Sequence, residues 1–168
     1  FFKAYLKDPD ATEEAWQGGY FHTGDVVRRD HEGYIYFVDR RKNVIRRSGE
    51  NIAAVEVESA LQQHPAVAAA AVAAVPDLVR GDEVFASIIL RDPPTRLEDK
   101  KQLAEQIVQH ALGALAYYKA PGYIAFVSSL PVTATQKVQR STLKDLVASL
   151  VDHPETFDLR ACLLYTSP

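Results

Sequence analysis

The sequence has few of the features that mark secreted, metal-binding or membrane proteins. Its 168 residues include one cysteine, Cys162, and no methionine. A single cysteine cannot form an internal disulfide, and no Cys/His spacing typical of a zinc site occurs. No apolar run reaches the roughly 20 residues that a membrane-spanning helix needs, and there is no signal peptide. We therefore expect no metal site, no membrane span and a reducing, cytoplasmic location.

Signatures of nucleotide and nucleic-acid binding are also scarce. No GxGxxG follows a predicted strand, and no GxxxxGK[ST] phosphate loop occurs. The net charge of −3 and the pI of about 6.0 give no general attraction to nucleic acid. A nucleic-acid-binding module that uses the basic stretch 40–47 is an alternative, but that stretch lacks interleaved aromatic residues for stacking on bases. We expect no nucleic-acid partner.

The two ends of the sequence predict a fragment of a longer protein. The first residue is Phe1 rather than methionine, and residues 162–168 break with the composition before them. We expect 162–168 to be non-native sequence from a sequencing adaptor. The whole chain is 47% hydrophobic and 24% charged, a balance typical of a folded domain.

Residues 1–41 predict a short helix followed by a β-hairpin. A helix starts near 10–14, with Asp10 or Thr12 as its N-cap, and Gly18 and Gly19 end it. Aromatic and β-branched residues then flank a polar turn at 29–33, which indicates two antiparallel strands. The basic interruption after this hairpin indicates a domain boundary.

Residues 42–150 predict a small α+β domain with a mixed three-stranded sheet and an additional hairpin. The Ala/Val run 66–75 fits helix or strand by periodicity, but the flanking prolines and its length favour a buried strand. Ser141 is the expected N-cap of the last helix. The predicted order is a hairpin across 48–50, a helix at 54–64, strands at 66–75 and 82–91, a helix at 97–115, a strand at 122–127 and a helix at 141–150.

Three motifs occur in order, at residues 19–25 (GYFHTGD), 33–58 (from GYIYFVDRRKN through RRSGENI to VEVE) and 130–140 (LPVTATQKVQR). Their order and spacing resemble the last three motifs of the adenylate-forming superfamily, and most closely the acyl-CoA ligases for carnitine or crotonobetaine. The resemblance implies that 1–41 ends a large AMP-binding domain, that 42–150 is its mobile C-terminal lid domain, and that 151–168 is a tail.

The resemblance also implies an activity. An acid–thiol ligase of this family joins a carboxylic acid to ATP as acyl-AMP, with Mg²⁺ bound upstream of this sequence, and then transfers the acyl group to CoA. Delivery to a carrier protein, as in peptide synthetases, is the alternative. The implied partners are the missing N-terminal domain, the acid, ATP and CoA. We expect the fragment alone to be inactive.

Two residues of the first part are candidate nucleotide ligands. The Asp25 carboxylate can accept hydrogen bonds from both ribose hydroxyls, although an aspartate that caps its own turn is a common alternative. The Arg40 guanidinium suits ribose or phosphate oxygens, although it could also belong to a solvated basic turn. The resemblance implies the nucleotide-binding role for both residues.

Lys137 is the candidate catalytic residue, and by resemblance it also contacts the nucleotide. Its ammonium would stabilise the negative charge that gathers when a carboxylate meets the α-phosphate of ATP. A lysine on a polar loop before a helix is the plain alternative. The family has glycine immediately before this lysine, where Gln136 stands here, whereas Thr135 and Arg140 match the motif.

The remaining candidates concern the hinge and CoA. Lys42 occupies the family's hinge position, where an exposed polar residue allows a large dihedral change. Ser48, Gly49 and Glu50 are the predicted CoA-binding loop, or equally a hairpin turn that uses Gly49 only for its conformation. Arg46 and Arg47 could contact CoA phosphates or solvate an edge strand.

Overall fold

The computed structural model describes residues 2–164. The chain divides into two compact units, Phe1–Lys42 and Asn43–Pro168. Of the segment 162–168, which the sequence predicts to be non-native, residues 165–168 lie outside the described residues. Within the described part, no helix is long and apolar enough to cross a membrane.

The first unit consists of one short helix and two hairpins. The helix begins differently from the prediction: Asp8, not Asp10 or Thr12, is the N-cap, and its Oδ1 accepts a hydrogen bond from the amide of Ala11 at 3.0 Å. Side chains of the second hairpin, such as Ile35 and Phe37, are largely exposed. The elements are α1 (Pro9–Ala15), β1 (Trp16–Gln17), β2 (Tyr20–Phe21), β3 (Asp25–Arg29) and β4 (Ile35–Arg40).

The second unit confirms the predicted α+β class. Its sheet is mixed, because β8 runs parallel to β9 and antiparallel to β7. The β5–β6 hairpin joins β8 through a single pairing of Arg47 with Gly81. Its elements are β5 (Ile45–Arg47), β6 (Glu50–Ile52), α2 (Ala54–Gln62), β7 (Val67–Asp77), β8 (Gly81–Leu90), α3 (Leu97–Ala114), β9 (Tyr123–Phe126), α4 (Arg140–Leu150), β10 (Thr156–Asp158) and α5 (Arg160–Leu164).

The Ala/Val run is the strand β7, and both of its faces are buried. Ala70 and Val72 face a core that contains Val57 and Leu61 of α2. The alternate residues, represented by Ala71, face a second cluster that includes side chains of α4. Because strand side chains alternate between faces, a strand covered on both sides needs apolar residues at every position. Small alanines meet this need while letting helices approach closely.

The expected tail contributes to the core instead. Residues Thr156–Asp158 form β10, which pairs antiparallel with β9 and adds a strand to the sheet. Phe157, Leu159 and Leu163 are buried against the main core. A three-residue strand is too short to produce a periodic pattern, so the prediction of a tail from residue 151 was wrong for this stretch. The last predicted helix begins at Arg140, with Gln139 rather than Ser141 at the N-cap position.

A fully buried carboxylate, Glu83, links three segments of the second unit. Its Oε2 lies 3.0 Å from Nη2 of Arg47 and 2.7 Å from Nη1 of Arg80. Arg47 also donates to the carbonyl oxygens of Tyr118 at 3.0 Å and Ala120 at 3.1 Å. Burial lowers the pKa of Arg47, and the adjacent Glu83 opposes that shift. Arg47 is therefore a buried structural residue, and both roles expected for it were wrong.

Glycine at position 122 is required by this buried carboxylate. A Cβ atom there would lie 2.5 Å from the Glu83 Cδ. We predict that Gly122→Ala lowers the free energy of unfolding by about 1–3 kcal/mol, because Glu83 has no room to move. Urea unfolding measures the change. Gly113→Ala is the matched control: nothing lies within 4 Å of its Cβ position in α3, so equal stability or a gain is expected. Equal losses in both variants would contradict the steric explanation.

Candidate functional site

Asp25 and Arg40, the two predicted nucleotide ligands, lie opposite each other on the β3–β4 hairpin. Nε of Arg40 is 2.7 Å from Oδ1 of Asp25, with 53% of the arginine side chain and 26% of the aspartate side chain exposed. The Thr23 hydroxyl accepts a hydrogen bond from the Asp25 amide at 3.2 Å, so Thr23 rather than Asp25 closes this turn. The carboxylate and the guanidinium form one partly exposed polar pair.

An open cleft of about 760 Å³ lies beside this pair within the first unit. Cations are prominent in its wall, where Arg40, Arg41 and Lys42 follow one another along the chain. An anionic ligand is therefore favoured over a cationic one by simple Coulomb attraction. The other lining residues are Tyr5, Ala11, Glu14, Ala15, Gln17, His22, Thr23 and Gly24.

The predicted hinge lies in a single 3-10 turn, Arg41–Asn43, immediately after β4. The amide of Arg41 donates to the carbonyl of Gly24 at 2.7 Å, which ties the start of the turn to the first unit. Lys42 is exposed to solvent and is the last residue of that unit. A polar, exposed residue between two compact units can change its backbone dihedrals at little cost in packing.

The predicted CoA-binding residues form the tip of the β5–β6 hairpin. Ser48 and Gly49 both have positive φ, 52° and 87°, as a two-residue type I′ turn requires. The Ser48 amide donates to the Arg80 carbonyl at 2.8 Å, and all of 48–50 is exposed. Nothing lies within 4 Å of a Cβ built on Gly49, so the space next to its Cα atom is open to a ligand. Arg46 is exposed on the adjoining strand.

Lys137 lies in a tight loop between β9 and α4. The Gln136 amide donates to the Thr133 carbonyl at 2.9 Å, and the Thr133 amide donates to the Lys137 carbonyl at 2.8 Å. Gln136 itself has a φ of 61°. This is a three-residue hairpin loop whose last residue takes the left-handed conformation, a position that favours glycine. The backbone at Gln136 thus adopts the conformation that glycine favours, and the exposed Lys137 comes directly after it.

The loop is closed at its base and attached to the core. Val132 and Val138 bridge it as an antiparallel pair. Leu130 and Val138 pack against the cluster between β7 and α4. Arg140 matches the last arginine of the motif. Unlike the exposed Lys137, it is largely buried and forms an ion pair with Glu58 of α2. The sequence indicated Arg140 as a motif residue but gave no sign of this partner.

The described residues do not group into a divalent-cation site. Between residues 2 and 164, no three His, Cys, Asp or Glu side chains are grouped so that they could hold a metal ion. The second unit instead presents an exposed ammonium and an exposed glycine turn, and the first presents a carboxylate–guanidinium pair. These groups can bind and orient anionic and hydroxyl-bearing ligands.

Comparison with known proteins gives a consistent family. Residues 56–137 match the AMP-binding enzyme C-terminal domain. The human mitochondrial acyl-coenzyme A synthetase ACSM5 is 43% identical over 144 residues, which cover 86% of this chain and 25% of that protein. The uncharacterized acyl–CoA ligase YtcI of Bacillus subtilis is 41% identical over 143 residues, which cover 85% of this chain and 26% of that protein. The chain thus spans about a quarter of the length of these relatives.

Solved structures show the same fold. The o-succinylbenzoate CoA synthetase MenE of Bacillus subtilis, in complex with its acyl-adenylate intermediate, superposes with a TM-score of 0.73 at 36% identity, over 85% of this chain and 28% of that one. ATP-bound MatB from Rhodopseudomonas palustris gives a TM-score of 0.75 at 29% identity, over 89% and 29%.

The left-handed residue before Lys137 can be tested by substitution. We predict that Gln136→Gly raises the free energy of unfolding by about 1 kcal/mol, because glycine adopts positive φ without steric strain. Urea unfolding measures the change. Ala134→Gly, in the same exposed loop but without positive φ, is the control and should lower stability by about 0.5–1 kcal/mol through added chain entropy. A loss of stability in both variants would argue against the strained conformation.

Proposed function

We propose that this chain, which belongs to the AMP-binding enzyme C-terminal domain family through residues 56–137, is the C-terminal part of an ATP-dependent, AMP-forming acyl-CoA ligase. The enzyme converts a carboxylic acid and ATP into acyl-AMP and pyrophosphate. It then converts acyl-AMP and CoA into acyl-CoA and AMP. In this proposal residues 1–41 complete a large AMP-binding domain, and the second unit is the lid.

The observation that carries the proposal is the exposed Lys137 at the end of a closed, core-attached loop. In the first half-reaction, a carboxylate oxygen forms a bond to the α-phosphorus, and the bond from that phosphorus to the bridging oxygen of pyrophosphate breaks. Negative charge from both reactants meets at this centre. A positioned ammonium stabilises that charge more in the transition state than in the ground state.

Asp25 and Arg40 are the proposed nucleotide ligands. The Asp25 carboxylate has lone pairs beyond the one directed at Arg40, and these can accept hydrogen bonds from the two ribose hydroxyls. Beyond Nε, Arg40 donates from Nη1 to the Thr23 carbonyl at 3.4 Å, and its remaining N–H donors suit ribose or phosphate oxygens. Their ion pair orients both groups before the nucleotide arrives.

The turn Ser48–Gly49 and the adjacent Glu50 are proposed to serve the second half-reaction. There the CoA sulfur attacks the acyl carbonyl carbon, and the bond to the AMP oxygen breaks. The open side of Gly49 permits a thin pantetheine chain to approach the backbone closely. Relatives named as acyl-CoA synthetases favour CoA over a carrier protein as the acceptor. Mg²⁺ would be held with ATP by residues outside this chain.

We retain the cytoplasm as the proposed location. The acyl–CoA ligase relative from Bacillus subtilis is a bacterial protein, whereas the human relative is named as mitochondrial. Both compartments are reducing enough to keep a lone thiol such as Cys162 unpaired. The acid substrate is set by parts of the enzyme outside these residues.

Replacing Lys137 tests the adenylation role. We predict that Lys137→Ala in the full-length ligase lowers the rate of acyl-AMP formation about 100- to 1,000-fold, because the transition state loses a preorganised charge. Pyrophosphate release without CoA measures this step. Lys101→Ala, which removes an exposed lysine from α3, is the control and should retain the wild-type rate. If acyl-AMP formation survives in Lys137→Ala, the proposed function of this loop is wrong.

Stiffening the segment between the units tests the hinge role. We predict that Lys42→Pro leaves acyl-AMP formation within about threefold of wild type but slows thioester formation more than about 100-fold, since proline fixes φ near −65°. The two half-reactions are measured separately, the second with supplied acyl-AMP. Lys42→Ala, which removes the charge but leaves the backbone free, should perform both. Equal loss in the alanine variant would assign the effect to the side chain instead.

A further inference from the structure

On the basis of the function proposed above, we propose that Glu58 and Arg140 form a positioning pair that holds the Lys137 loop in place for adenylation. Neither residue touches a reactant in this proposal. Their contribution is to keep the base of the loop fixed on the sheet, so that the ammonium arrives at one defined position.

The contact between the two side chains is bidentate and largely buried. Nη2 of Arg140 lies 2.8 Å from Oε2 of Glu58, and Nη1 contacts Oε1. The side chains are 20% and 11% exposed. Two parallel hydrogen bonds between charged groups fix the orientation of the guanidinium as well as its distance. A lysine could supply the charge but not this geometry.

The pair is also attached to the backbone of β7. The Val72 amide donates to Oε1 of Glu58 at 2.8 Å, and Nη1 of Arg140 donates to the Val72 carbonyl at 3.0 Å. Among the described strands β7 is paired with β8 alone, so these two backbone groups face outward from the ladder. The ion pair satisfies both of them, as a neighbouring strand would. Arg140 is thereby fixed to the sheet and not only to a surface helix.

The position of Arg140 indicates that helix stability is not its purpose. Arg140 is the first residue of α4, where the helix dipole disfavours a positive charge. A carboxylate or a neutral residue would suit that position better. The ion pair with Glu58 and the hydrogen bond to the Val72 carbonyl both reach across the chain, and they explain an arginine at this position.

A short, closed segment connects this anchor to Lys137. Arg140 follows Lys137 in the sequence with two residues between them. The Gln139 amide donates to the Pro131 carbonyl at 2.8 Å, and Val138 bridges Val132 just beyond. Both arms of the loop are therefore joined between the anchor and the tip. A shift of Arg140 is transmitted to the lysine because this hydrogen-bonded ribbon has little freedom to absorb it.

A second carboxylate on the same helix provides a matched control. Glu56 precedes Glu58 by two residues and also pairs with a cation distant in sequence, Lys119, at 2.6 Å. The Glu56 side chain is 45% exposed, and its partner does not lead to the Lys137 loop. Glu56→Gln removes one charge from α2, as Glu58→Gln does, without disturbing the proposed anchor.

The experiment measures acyl-AMP formation by the full-length ligase. We expect Glu58→Gln and Arg140→Lys each to lower kcat about tenfold, with KM for ATP within about twofold, because a misplaced group loses transition-state stabilisation rather than substrate binding. Thioester formation from supplied acyl-AMP should stay within about twofold of wild type in both variants. Glu56→Gln should match wild type throughout. Thermal unfolding of each variant establishes that it is folded at the assay temperature.

A double-variant comparison separates positioning from a general structural effect. If Glu58 acts through Lys137, then Glu58→Gln should cost less than about twofold in a Lys137→Ala background, because the group it positions is gone. An additive tenfold loss there, or equal losses in both half-reactions, would overturn the positioning role. A wild-type rate in Glu58→Gln alongside a defective Lys137→Ala would also overturn it, while leaving the proposed function standing. A fully active Lys137→Ala would instead refute the proposed function.

Discussion

A carboxylate removed from water must be matched by a cation and by hydrogen-bond donors, and the second unit meets this requirement at Glu83 and at Glu58. Desolvation of each ion costs several kcal/mol, which good geometry and additional hydrogen bonds must offset. Glu83 is fully buried and contacts Arg47 and Arg80, and Glu58 is nearly so and contacts Arg140. Arg47 and Arg140 come from segments far away in sequence from the carboxylates they contact, so these two pairs fix the relative position of those segments.

The ion pairs of Glu83 and of Glu58 adjoin the two loops that carry the proposed chemistry. Arg47 directly precedes the Ser48–Gly49 turn, and Arg80 accepts a hydrogen bond from the Ser48 amide through its carbonyl. Arg140 follows the Lys137 loop. In both cases the motif contains one residue that is exposed and another that is buried. The exposed residue suits contact with a ligand, and the buried residue determines where the exposed one stands.

Much of this architecture could be predicted from sequence because its signals are local. The strands β7 and β8, the helices α2 and α3 and the hairpin across Ser48–Gly49 each have a composition or turn signature of their own. The α+β class followed from their order. The strand β10 was missed because three residues carry no periodicity, and its stability comes from pairing with β9 rather than from its own sequence.

The ion pairs could not be predicted for a related reason. Glu58 and Arg140 are separated by 82 positions, and no spacing rule connects them. Arg47 was expected to contact CoA phosphates or to solvate an edge strand, but alternation along β5 places Arg46 outside and Arg47 inside. The period of two was available in the sequence. No sequence pattern indicated that Glu83 would pair with Arg47. Without such a partner, burial of an arginine side chain is energetically unfavourable.

This arrangement places rigidity and freedom in different parts of the chain. The loop at Lys137 tolerates a left-handed Gln136, a conformation that persists only where its surroundings hold it. The turn Arg41–Asn43, by contrast, exposes Lys42 to solvent, and the Arg41 amide ties its start to the Gly24 carbonyl. A lid that serves two half-reactions needs reactive groups that do not drift and a connection that can rotate. In the proposed function, buried ion pairs meet the first requirement, and the short exposed turn meets the second.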